Sequence, residues 1–121
     1  MNAIFLVITT LLLTPASGSA HDAKGPHGGE VTDAGSYHVE LVVKSNTVTV
    51  FVSDKNEKPI AATGFKAIAI LVVGGKAERI VMEPAGESRL SGTTAIVVPA
   101  RPKGVVQLTA PDGKTAQAKF N

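Results

Sequence analysis

From Tyr37 to Ser53 apolar and polar side chains alternate, with a break at Ser45-Asn46. β-Branched residues dominate both sides of the break, which suits a pleated, half-buried surface. A two-residue loop at Ser45-Asn46 pairs Lys44 with Thr47, Val43 with Val48, Leu41 with Val50 and Val39 with Val52. The six apolar partners then share one face, predicted to be the core face. His38, Glu40, Val42, Thr49, Phe51 and Ser53 take the other. A slip of one residue would destroy that separation, so the register is well specified.

The rest of the chain repeats this rhythm less cleanly. Ser53 to Pro59 is a polar turn, and Ile60-Ala61-Ala62-Thr63 reads as a weak strand ended by Gly64. A second hairpin spans Lys66 to Glu83 around Gly74-Gly75. A two-residue loop there would set Leu71 against Glu78 and Ile70 against Arg79. A three-residue loop that includes Lys76 sets Ile70 against Ile80 and Ile68 against Met82, and is preferred for its apolar pairs. Further strands are expected at Arg89–Leu90, Thr94–Val98, Val105–Thr109 and Thr115–Phe120, with Pro99, Pro102-Lys103-Gly104 and Pro111-Asp112-Gly113 between them. No helical stripe follows the first residues. Short strands at this spacing predict an all-β, antiparallel β-sandwich in a single domain.

The first residues follow a different pattern. Ile4 to Leu13 is apolar except for Thr9 and Thr10, Pro15 breaks the run, and Ser17-Gly18-Ser19-Ala20 supplies small residues for cleavage. The run is roughly half the ~20 apolar residues that a membrane span needs. Residues 1–20 are therefore expected to be a signal peptide, residues 21–36 a Gly/His-rich N-terminal arm without regular structure, and residues 37–121 the β-domain. No Lys or Arg precedes the apolar run, which departs from the usual signal. The chain has no Cys, so it has neither disulfides nor thiolate ligands, and export without cysteine fits a bacterial periplasm. A mature chain of this size buries enough surface to fold without staples.

The net charge of +2 is spread over a mixed surface, and four Phe, one Tyr and no Trp leave little to stack on bases. Nucleic-acid binding is not expected. Nor is a membrane span in the mature chain. Enzyme motifs fail in turn. There is no Gly-x-Ser-x-Gly elbow and no His-Glu-x-x-His. Gly74-Gly75-Lys76 matches only the end of a phosphate loop, because Ala77 stands where a hydroxyl should bind magnesium. The chain is not expected to be an enzyme.

What remains is a crowding of histidines. All three, His21, His27 and His38, fall within eighteen consecutive residues, with Asp22, Glu30, Asp33 and Glu40 among them. Imidazole nitrogen with carboxylate oxygen suits zinc or copper(II). His38 and Glu40 are two apart on a strand and project from the same face. A loop that brings His27 over that face would add a third ligand, with His21 or Glu30 as a further donor. A cut after Ala20 would also make His21 the N-terminal residue, able to chelate copper through its amine and ring. In that respect it resembles the histidine brace of periplasmic copper-resistance carriers and lytic polysaccharide monooxygenases. Two methionines, Met1 and Met82, make no thioether cluster for copper(I).

Gly25-Pro26-His27-Gly28-Gly29-Glu30-Val31, Tyr37-His38-Val39-Glu40-Leu41-Val42 and Lys58-Pro59 together resemble the N-terminal module of periplasmic adaptor subunits of heavy-metal efflux pumps. They are similar also to small uncharacterised exported proteins with the same His-Gly-Gly opening. The resemblance spans Gly25 to Pro59, with His27 and Glu40 at the matching positions. It implies a small β-domain that handles cations. Adaptors continue into a helical hairpin, lipoyl-type and barrel domains, none of which is legible here. The resulting expectation is a periplasmic metal-binding carrier, buffer or accessory of divalent-cation efflux, with an efflux component as a possible protein partner. The alternative is a non-catalytic β-sandwich module that binds a periplasmic protein through an edge strand or loop.

Overall fold

A computed structural model describes residues 24–121, which fold as eight antiparallel strands. These are β1 (Glu30–Ala34), β2 (Tyr37–Lys44), β3 (Thr47–Ser53), β4 (Lys66–Val73), β5 (Lys76–Pro84), β6 (Arg89–Thr93), β7 (Lys103–Thr109) and β8 (Thr115–Phe120). They hydrogen-bond in the order β1-β2-β3-β6-β5-β4-β7-β8. The edge strands β1 and β8 pack against each other, so the sheet curls nearly closed into a barrel-like shape. Only Glu83↔Ser91 and Pro84↔Leu90 join β5 to β6. The two four-stranded halves thus face each other across one core, and the expected antiparallel all-β architecture holds. No helix among the described residues is long and apolar enough to cross a membrane. The expected signal peptide and His21 lie outside the described residues.

The first hairpin pairs as its alternation dictates. Lys44↔Thr47, Val43↔Val48, Leu41↔Val50 and Val39↔Val52 are all present. Val39, Leu41, Val48, Val50 and Val52 are buried, and Val43 packs against them from the margin. The opposite half contributes Ala67, Ala69, Leu71, Ile80, Met82, Val106, Leu108, Ala118 and Phe120 to the same core.

The second hairpin takes the two-residue loop instead of the expected three-residue one. Val73↔Lys76, Leu71↔Glu78, Ile70↔Arg79 and Ala69↔Ile80 are the pairs formed. Gly74 and Gly75 have φ of 57° and 78°. Two consecutive positive φ values make the tight turn whose twist matches that of the strands it joins. The turn therefore fixes the register, and Ile68, Ile70 and Val72 face outward while Ala67, Ala69 and Leu71 face the core.

Three other expectations change. The stretch over 21–36 is not all irregular, because Glu30–Ala34 forms β1 on the free edge of β2. Ile60–Thr63 is not a strand; Ser53 and Pro59 make one isolated bridge, and Ala62 is buried in a loop. Thr94–Val98 is also a loop. Its Thr94 and Val98 amides donate to the Asn46 and Ser45 carbonyls at the β2–β3 turn, and Val98 plugs that end of the core.

Candidate functional site

The histidine region is built on the outer face of β1, β2 and β3. Opposed residues in antiparallel strands share a face. Asp33↔His38 and Val31↔Glu40 lie across the β1–β2 ladder, and Glu40↔Phe51 across the β2–β3 ladder. Asp33, Val31, His38, Glu40 and Phe51 therefore form one outward patch.

Over it folds the segment Lys24–Glu30. Lys24 bridges to Glu30, the Gly25 amide donates to the Gly29 carbonyl at 2.8 Å, and the Gly28 amide to the Gly25 carbonyl at 3.0 Å. This is a small hairpin with Pro26-His27-Gly28 as its loop. Pro26 presets the turn, and Gly28 takes the left-handed conformation, φ 79°, that closes a three-residue loop. The other two glycines are demanded by close approach. A Cβ at Gly25 would lie 2.3 Å from Glu40 Cδ, and one at Gly29 would lie 2.3 Å from the Leu41 carbonyl oxygen.

Glu40 is the keystone of this cover. It is 4% exposed and is the one buried charged side chain among the described residues. Its Oε2 accepts from the His27 amide at 2.9 Å and from the Gly29 amide at 2.8 Å. Its Oε1 lies 2.7 Å from His27 Nδ1. The carboxylate thus sits in a nest of backbone donors and binds the ring that covers it. An ionised carboxylate can only accept, so Nδ1 carries the proton in this contact. The His27 ring also stacks on Phe51, with centroids 3.6 Å apart and planes 5° from parallel. One residue, His27, therefore shields Phe51 and Glu40, which stand side by side on neighbouring strands.

His38 has its own carboxylate. Its Nδ1 lies 2.6 Å from Asp33 Oδ1, across the β1–β2 ladder. His27 and His38 both line a single cavity of about 200 Å³, together with Lys24, Val31, Glu40, Phe51, Glu57 and Pro59. Of the expected ligands, His27, His38 and Glu40 are thus brought to one cavity, with Glu40 in direct contact with His27. Glu30 is opposite Leu41, whose side chain is in the core, so strand parity sets Glu30 on the face away from Glu40 and His38. His21 lies outside the described residues. Among the described residues, no three His, Asp or Glu side chains form a group that could hold a metal ion.

The sequence names Asp33 in the histidine cluster without a role there, and leaves Phe51 and the three hairpin glycines out of the site. Asp33 sits opposite His38 through the tight turn at Gly35-Ser36, where Gly35 has φ 59°. Phe51 is in the expected outward set, but the pattern could not show that His27 would stack on it. The three glycines carry a readable signal, since Pro-x-Gly with flanking glycines is hairpin-loop chemistry. Compared with known protein families, characterised proteins and solved structures, the chain matches none of them.

Proposed function

We propose that the protein is an exported, non-catalytic metal-binding protein of the periplasm, an accessory to divalent-cation efflux, which takes zinc or copper(II) at the His27–His38 cavity. The ligands are the Nε2 atoms of His27 and His38. Glu40 and Asp33 position them and do not themselves ligate. The observation that carries this reading is the matched pair of Nδ1–carboxylate contacts, at 2.7 Å and 2.6 Å, on two histidines of one cavity. A carboxylate on one ring nitrogen fixes the tautomer, leaves the other nitrogen as a lone-pair donor and raises its basicity, which is the usual outer-shell arrangement of metal-bound imidazole. His27 is 47% exposed and His38 30%, so both rings are open to incoming solute. Two nitrogens make an incomplete set for either metal. The remaining positions go to water, to a ligand that arrives with the metal, or to His21 upstream.

Calorimetric titration with zinc and copper(II) tests the reading. His27→Ala and His38→Ala each remove a ligand and should abolish tight binding. Asp33→Asn, which spares both rings, should weaken binding by about 10–100-fold. A double His variant that binds as well as the parent rejects the site. A second reading rests on the three hydrogen bonds to Glu40: the constellation only fastens the N-terminal hairpin to the sheet. If the parent binds no metal while loss of Glu40 frees the hairpin, that reading stands alone.

A further inference from the structure

Among the described residues, nothing like the N-terminal hairpin covers the outer face of the β5-β4-β7-β8 half. At its centre Ile70 lies between Arg79 and Val105, and Ile68 between Val81 and Gln107. Val72 is the next outward residue of β4. Val72 and Val81 are 48% and 55% exposed, and Ile70 is exposed beside them. Single exposed aliphatic residues are ordinary, but a contiguous group on neighbouring strands marks a contact surface. Around this group Lys66, Arg79, Lys103 and Lys119 occupy outward register positions, one on each strand, with Lys66 sharing β4 with the aliphatics. All four are exposed. Glu83 is the one carboxylate at an outward position of these strands. Since the whole chain carries a net charge of only +2, four cations against one carboxylate is a local concentration.

We propose that this face docks peripherally on an anionic lipid surface. Its β-branched side chains enter the boundary between headgroups and acyl chains, and its cations meet the lipid phosphates. Charge complementarity supplies the direction of the argument, and the chemistry of the patch selects lipid over protein. Protein interfaces concentrate their energy in aromatic or Arg anchors seated in pockets. Here the centre is aliphatic apart from the exposed Arg79, and it holds no aromatic side chain. Three of the four cations are Lys, a flexible point charge that needs no fixed partner geometry and snorkels readily beside apolar surface. A fluid layer of phosphates satisfies such a ring without any register. Docking this way turns the His27–His38 cavity, on the opposite half, toward water.

Co-sedimentation of the purified protein with vesicles at low salt decides the matter, comparing phosphatidylglycerol–phosphatidylcholine mixtures with phosphatidylcholine alone. The parent should prefer the anionic vesicles at least about tenfold, since each cation at such a surface is worth about fivefold in partitioning. Reversing Lys66, Lys103 and Lys119 together to Glu should remove that preference. Reversing Lys44, Lys55 and Lys58, which changes the net charge equally on the opposite half, should retain most of it. Ile70→Ser with Val72→Ser should weaken anionic binding while the circular dichroism of the fold is unchanged. The proposal is overturned if the parent shows no preference, or if the two triple variants behave alike. It is also overturned if the protein ignores vesicles but is retained by polyglutamate through this face, which would make the face a protein-docking surface.

Discussion

On one outer face of this sheet a glutamate is buried; on the other, valine and isoleucine stand in water. Glu40 is 4% exposed and Val81 is 55% exposed, although both project outward from strands that line the same core. The difference is cover. The β1-β2-β3-β6 half has a second layer, the Lys24–Glu30 hairpin, and the β5-β4-β7-β8 half has none among the described residues. Under a cover, a polar group must be satisfied by the covering chain, and Glu40 is satisfied by two amides and an imidazole. Without a cover, outward residues need only be soluble enough, and apolar ones become available for contact. The inner lining makes the fold, and the outer dressing makes two different surfaces.

The largest expected effect tests whether the two halves really share one core. Leu41 and Leu71 face it from opposite halves and are both essentially inaccessible. Leu41→Ala and Leu71→Ala should each cost about 2–5 kcal/mol of unfolding free energy in urea, from lost transfer energy plus a cavity. A large cost in one half with little in the other would mean that the halves unfold separately, and that the narrow β5–β6 junction is a boundary.

A middle effect belongs to the covered face alone. Glu40→Ala removes the acceptor for the His27 and Gly29 amides, and an unpaired buried donor costs about 1–3 kcal/mol. The hairpin can relieve part of this by lifting into solvent, so the expected loss is about 2 kcal/mol, with loss of hydrogen-exchange protection at those two amides. Glu40→Gln should recover some of it, since a carboxamide oxygen still accepts. If exchange at His27 and Gly29 is unchanged by Glu40→Ala, the hairpin is held by the Phe51 stack instead.

The same contrast explains what the sequence disclosed. Tyr37 to Ser53 was legible because one face is apolar and the other is not, so only one register buries the valines. Lys66 to Glu83 was misread because both faces are apolar: Ala67, Ala69 and Leu71 compete with Ile68, Ile70 and Val72. Bulk favoured the isoleucines for the core, yet the core at this position takes Ala67 and Ala69, in a cluster that also holds Phe65 and Phe120. The turn residues Gly74-Gly75 held the deciding information. Of the histidine cluster, His27, His38 and Glu40 meet at one cavity, Glu30 takes the other face and His21 lies outside the described residues. The roles within it were not legible, because an outward glutamate looks solvated until one knows that a chain segment crosses above it. Gly25 and Gly29 are the residues that record this crossing, since each is small where the covering chain meets the sheet.

The smallest effect is the sharpest test of the uncovered face. Val and Thr have nearly the same shape, so a Val→Thr exchange measures burial of a hydroxyl with little change in packing. At Val50, on the core side of β3, the hydroxyl would be shut away from water and should cost about 1–3 kcal/mol. At Val81 it would face solvent, and the cost should stay within about 0.5 kcal/mol. Val81 stands outside opposite Ile68, while its neighbour Met82 points in opposite Ala67. The three-residue loop would set Ile68 against Met82 and Ile70 against Ile80; it keeps Met82 inside and turns over β4, burying Ile68 and Ile70 in place of Ala67, Ala69 and Leu71. Urea midpoints for Val50→Thr and Val81→Thr, measured side by side, therefore report which side of the sheet each residue occupies. Similar losses at both positions would put Val81 inside, and with it would go its place in the exposed aliphatic group on which lipid docking rests.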